Sequence, residues 1–309
     1  MQKLKVKIVF LFLFSFLAPA TQAQQADTSV FKFPIQMDAV VIKAARGGWN
    51  VNAFIRRVKT DTTFYKAFRT MRLVSYTATN DIRVYDKKGK VSASLYSRTK
   101  QHAAGGCRTT QTLEEKTTGD FYKRNKEYRY YTAELYAYLF FTKGKICGEN
   151  DKVAGALNER GKGQIEKSKY QLKQLIFNPG SRIAGVPLMG DKAAIFEPQV
   201  AKLYDFKLLS EEYSGVECYV FKAIPKPGKE DDVVYDELTT WFRKSDYAII
   251  ARDYSLSYKT MVYDFNVRMK VRTTEVGGKL LPSTIDYDGN WHVFSQDRER
   301  VKFHTVLSY

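Results

Sequence analysis

At 309 residues and a formal charge of +17, the chain is long enough for one large domain or two, and it is strongly basic. No apolar run reaches the roughly 20 residues that a spanning helix needs, which argues against an integral helical membrane protein. A basic balance in a cytoplasmic protein would raise nucleic acid as a partner, but the N-terminus reads as an export signal, and an exported chain rarely meets any.

That signal is MQKLKVKIVFLFLFSFLAPATQA. Lys3, Lys5 and Lys7 precede an apolar run from Ile8 to Ala18, followed by small residues around Ala20 and Ala23. Cleavage is expected near Ala23, so residues 1–23 are read as a signal peptide and the mature chain as periplasmic. No Cys follows the small-residue site, so a lipid-modified N-terminus is not expected. Removing these residues deletes three Lys and no acid and leaves +14. Such a field suits an anionic membrane surface, lipopolysaccharide or an acidic partner. It is equally what the solvated faces of many strands would give.

A short N-terminal tail, QQADTSVFKF, leads into an apolar stretch, Ala39 to Ala45, that Gly47 and Gly48 then break. Asn50 can cap a helix in which Val51, Phe54, Ile55 and Val58 recur at helical spacing. Phe64, Phe68 and Met71 mark a second. VSYTATNDIRVYD and KVSASLYSRTK then flank a turn at Gly89 and predict a hairpin. A strand is expected from Thr109 to Thr118, and TAELYAYLFF behind it fits either a short helix or a fully buried strand.

In KGQIEKSKYQLKQLIFNPG, Ile165, Leu172, Leu175 and Ile176 share one helical face, and Asn178-Pro179-Gly180 ends the pattern. FEPQVAKLYDF reads as a shorter helix. From Lys207 onward the pattern is nearly all strand, with hairpin turns expected at Gly277-Gly278 and at Asp288-Gly289-Asn290. The fold class is therefore α+β, mainly antiparallel β. YDFNVRMKVR shows why one face needs a cover: Tyr263, Phe265, Val267, Met269 and Val271 alternate with Asp264, Asn266, Arg268, Lys270 and Arg272. The apolar side faces either a packed core or a ligand chamber.

Three cysteines, Cys107, Cys147 and Cys218, allow at most one internal bridge. Cys107 and Cys147 sit beside Gly in expected loops and are the candidate disulfide, with three free thiols as the alternative. Cys218, in VECYVFK, reads as a buried strand residue.

No catalytic constellation is found. His102, His292 and His304 belong to no ligand-spaced cluster, so no metal site is expected, and no GxSxG elbow is present. GALNERGKG has five residues rather than four before Gly161-Lys162, and Gly163 replaces the hydroxyl residue of a phosphate-binding loop. DYDGN lacks the later bidentate Glu of a calcium loop. The 21 Tyr and 20 Phe fit half-buried sheet for steric reasons, and they equally suit an apolar chamber.

Between about residues 205 and 305 the pattern resembles the periplasmic lipoprotein-sorting carriers and their lipid-binding relatives. A strand with a central Trp241, an acidic turn at Asp246, and a later strand with Gly278, Leu281, Pro282 and Ile285 carry the resemblance. It implies a strongly curved, half-open sheet, an incomplete barrel, covered or plugged by several helices and enclosing an apolar cavity for acyl chains. Residues 24–309 then form one carrier-like domain with a helical extension over about residues 40–70. The chain departs from the family in carrying about 100 extra residues before the matching part.

Phe265, Val267, Met269, Ile285 and Trp291 are the candidate cavity residues by alternation, and Trp241 is added by the family pattern. The expected function is non-enzymatic binding or carriage of a lipid or other hydrophobic ligand, such as lipoprotein acyl chains, without a cofactor. The alternative is an envelope interaction protein whose basic face binds an anionic partner.

Overall fold

The structure, a computed structural model, describes residues 33–153, 176–182, 189–261, 263–293 and 297–309. The segment read as a signal peptide, most of the amphipathic segment with Ile165, Leu172 and Leu175, and GALNERGKG lie outside the described residues.

The strands are β1 (Ile35–Met37), β2 (Tyr76–Tyr85), β3 (Val91–Ala104), β4 (Cys107–Thr118), β5 (Lys145–Cys147), β6 (Tyr204–Tyr213) and β7 (Val216–Pro225). They continue with β8 (Tyr235–Arg243), β9 (Ile249–Lys259), β10 (Tyr263–Val276), β11 (Lys279–Val293) and β12 (Glu299–Ser308). All belong to one sheet in the order β1-β6-β7-β8-β9-β10-β11-β12-β2-β3-β4-β5. The sheet is curved and does not close. Its two ends are three-residue strands, short edges that offer little template for pairing with another chain. Every pairing is antiparallel except β1 on β6. The last strand, β12, pairs with β2, and this joins the N-terminal meander to the C-terminal one.

Helices cover one face. Asp38 accepts a hydrogen bond from the Val41 amide and starts α1 (Ala39–Arg46), which lies beside β6. Asn50 does the same for Ala53 at the head of α2 (Val51–Thr60), as its position predicts. Asp61 accepts from the Thr63 amide before α3 (Thr63–Met71). TAELYAYLFF is helical, within α4 (Tyr131–Phe140). It has no capping side chain of its own. Glu299 of β12 supplies the cap, accepting from the amides of Tyr131 and Thr132 at 2.7 and 2.9 Å.

The inner face is apolar and closely packed. Phe54 of α2 meets Phe242 and Tyr219 at 5.2 and 5.5 Å between ring centroids, and Tyr136 of α4 meets Phe303 at 4.6 Å. Phe177 lies against Phe68 of α3 at 4.3 Å. Among the described residues, no helix is long and apolar enough to cross a membrane.

Three expectations need correction. FEPQVAKLYDF is helical only over α5 (Pro198–Ala201), because Tyr204 and Phe206 turn their rings inward as the start of β6. Cys107 and Cys147 are not in loops: each ends a strand, and they face one another across β4 and β5. Asp288-Gly289-Asn290 makes no turn, and β11 runs straight through it. The glycine serves packing instead, because a Cβ at Gly289 would stand 2.0 Å from the Tyr287 hydroxyl. The ring of Tyr287 occupies the space a side chain would need.

Candidate functional site

The register of β10 on β11 places Phe265 opposite Trp291, Val267 opposite Gly289, Met269 opposite Tyr287 and Val271 opposite Ile285. Facing residues of an antiparallel pair share a face, so five of the six expected cavity residues lie together. Phe265, Val267, Met269 and Ile285 are buried in the apolar cluster, and Trp291 packs on Phe265 at 4.6 Å.

Trp241 does not join them. It stands opposite Ala251, which stands opposite Arg272, and this row belongs to the outer face. There Trp241 packs on Tyr213 at 5.1 Å, beneath the Arg272 guanidinium at 5.9 Å. A β-bulge between Tyr235 and Glu237 sets the phase of β8, so Tyr235, Leu238, Thr240 and Phe242 turn inward and Trp241 outward.

The outer face is polar. Arg268, Asp288, Lys302 and Arg83 form one row across β10, β11, β12 and β2, and Lys270, Asp286, His304 and Asp81 form the next. An open groove of about 410 Å³ runs over these rows. Much of the charge is matched within it: Lys302 reaches Asp288 at 2.8 Å, Arg83 reaches Asp81 at 2.7 Å, and His304 meets Asp286 at 2.6 Å.

Among the described residues, three polar groups stand out in the apolar interior. The first is a closed network where β12, β2 and β3 meet. The Tyr136 hydroxyl donates to Asn80 Oδ1 at 2.5 Å and lies 2.5 Å from the Thr305 hydroxyl, and Asn80 Nδ2 donates to Ser97 at 3.2 Å. The second surrounds Arg108, which is 6% exposed. Its guanidinium donates to Glu149 at 2.5 and 3.3 Å, to Gln101 at 3.3 Å, and to Thr142. Burial alone would raise the Glu149 pKa, but Arg108 and Arg72 outweigh that and hold it below the usual glutamate value. The disulfide between Cys107 and Cys147, with the Gly148 amide donating to Gly106 O at 3.0 Å, holds the Glu149 loop in place.

The third is different. Arg252 of β9 is 7% exposed and points inward, in register with Tyr254 and Leu256. Its Nε donates to Thr240 Oγ1 at 3.0 Å, and its guanidinium carbon lies 4.4 Å from the centroid of the Phe64 ring. No carboxylate of the described residues lies within 4.0 Å of it. Asp61, the acid that acts on it at longer range, already accepts from the Thr63 amide and hydroxyl. Burial lowers the Arg252 pKa from its ordinary value, and Asp61 offsets only part of that.

Beside this cluster, the buried Tyr235 hydroxyl lacks a well-formed hydrogen bond, although the Gly180 backbone lies near it. The Tyr254 hydroxyl donates to Ile176 O at 2.5 Å. Arg252, Thr240 and Tyr235 were not singled out in the sequence. The one signal was an arginine standing in the apolar register of AIIARDYSLSY.

Neither protein-family models nor curated proteins match the chain. Among solved structures, a DUF1329 family protein from Desulfovibrio piger ATCC 29098 aligns over 82% of this chain and 92% of its own, at 13% identity and a TM-score of 0.26. A likeness this loose carries no argument about function.

Proposed function

We propose that this is an exported, periplasmic, non-enzymatic protein that binds or carries a lipid or similar hydrophobic molecule on the inner face of its sheet. The observation that carries this reading is the form of the cover. A continuous apolar face of an open, curved, single sheet is roofed by helices of nine or ten residues, α2, α3 and α4, rather than by a second sheet. Short helices that share no backbone ladder with the sheet can separate from it at lower cost than paired strands. The resemblance of residues 205–305 to lipoprotein-sorting carriers agrees with this reading.

The test is native mass spectrometry of the mature protein purified from its own periplasm, followed by organic extraction and lipid analysis. A stoichiometric lipid is the expected result. An empty protein that also fails to take up a fluorescent fatty acid would overturn the proposal.

A second reading draws on the outer groove lined by Arg83, Arg268, Lys270 and Lys302, which suits an anionic membrane surface or partner. Internal pairing of that face weakens it, because Asp81, Asp286 and Asp288 already answer much of the charge. Binding that collapses between low and physiological salt, with no lipid in the purified protein, would favour it over carriage.

A further inference from the structure

Arg252 poses a thermodynamic problem that the rest of the interior does not. Placing a cation in an apolar interior costs several kcal/mol unless an opposite charge and hydrogen bonds answer it. Arg108 has such an answer in Glu149, Gln101 and Thr142. At Arg252 there is one neutral hydroxyl and one aromatic face. A cation–π contact offsets only part of that cost. The Tyr235 hydroxyl, facing the same interior, lacks a well-formed partner as well. Two under-satisfied polar groups with compatible chemistry, a guanidinium fork and a hydroxyl donor, lie on adjacent strands within an apolar face.

The geometry points to Arg252, with Thr240 beside it and Tyr235 two inward rows farther along the same face, as the binding site for the carboxylate of a long-chain fatty acid whose alkyl chain runs along the apolar inner face. This inference rests on the carrier reading and names the ligand class it would take. A single fixed cation matches a singly charged head better than a doubly charged phosphate ester. The planar fork fits a planar carboxylate through two parallel N–H···O bonds. Thr240 fixes the fork from the Nε edge, and among the described residues neither terminal amino group has a hydrogen-bond partner, so both can make that pair. Phe64 orients the plane from α3. A neutral head group would leave the charge unanswered, so the site discriminates between amphiphiles of equal chain length.

The test compares binding of palmitate, hexadecanol and hexadecyl phosphate to the delipidated mature protein at pH 8. Palmitate is expected to bind about tenfold or more tightly than hexadecanol, because only palmitate supplies a charge-assisted bond to the buried cation. In Arg252→Met that preference is expected to vanish while hexadecanol binding stays, and Tyr235→Phe should erode it in part. Equal wild-type affinity for palmitate and hexadecanol would overturn this inference and leave the carrier reading standing. Failure to bind any of the three would overturn both. Tighter binding of hexadecyl phosphate than of palmitate would overturn the assignment of a carboxylate. The wild-type comparison decides the matter even if Arg252→Met does not fold.

Discussion

Arg108 and Arg252 are buried almost equally, yet the chain treats them in opposite ways. Arg108 sits on β4 at the sparse end of the sheet, where a disulfide and a loop bring Glu149 over it and two further groups, Gln101 and Thr142, complete its hydrogen bonds. Arg252 sits near the middle of the sheet under α3, where the packing is dense and the charge is left almost alone. A fully answered buried ion holds structure together, whereas a poorly answered one is a standing cost that stability alone does not justify. The difference separates a structural arginine from one kept for a partner.

That contrast can be broken in several places, starting with the largest effect. Replacing Arg108 by Met should destabilise the protein by about 3–5 kcal/mol, measured by urea unfolding, because it strands Glu149 and Gln101. Removing the bridge with Cys147→Ser should cost about 2–4 kcal/mol in the same assay, since the bond closes a loop of 40 residues and steadies Glu149 as well. Tyr136→Phe should cost about 1–2 kcal/mol, because Asn80 and Thr305 lose their shared partner while keeping a 3.3 Å contact with each other.

The pH dependence of the Arg108 site follows from Glu149, whose folded pKa lies below the ordinary 4.5. Its contribution is fully present above the unfolded value and is lost as pH falls through the lower folded value. The stability gap between wild type and Arg108→Met should therefore narrow as urea titrations are taken below pH 4.5. A gap that stays constant in acid would mean that the pair contributes nothing. Arg252→Met should have the smallest effect on the ligand-free protein, and of opposite sign: neutral, or stabilising by about 1 kcal/mol, because an apolar chain of similar length replaces a poorly answered charge.

Period-two alternation made much of this legible in the sequence. It placed Phe265, Val267, Met269 and Ile285 on one face, and Asn50 and Gly89 marked a helix start and a hairpin turn that the structure shows. Other readings failed where register or a distant residue set the outcome. Trp241, placed in the cavity by the family pattern and not by alternation, points outward because the register of β8 sets it opposite Ala251 on the outer face. DYDGN looked like a turn because Gly289 is a turn residue in isolation, whereas a tyrosine two positions earlier makes it a packing residue. TAELYAYLFF stayed ambiguous because its cap comes from Glu299, far along the chain. Arg252 was visible as an arginine out of place among apolar neighbours, but that no carboxylate of the described residues lies against it is a fact of three dimensions.

The most direct measurement is the shift in urea midpoint that saturating palmitate produces in delipidated wild type and in Arg252→Met. At a hundred times its dissociation constant, a ligand specific for the folded state adds about 2.7 kcal/mol. The account predicts a shift of that order in wild type, a shift of about half that size (about 1.4 kcal/mol for tenfold weaker binding) in the variant at the same palmitate concentration, and ligand-free variant stability at or above that of wild type. A ligand-free variant that loses several kcal/mol, as Arg108→Met is expected to, or one that palmitate stabilises as much as wild type, would contradict it.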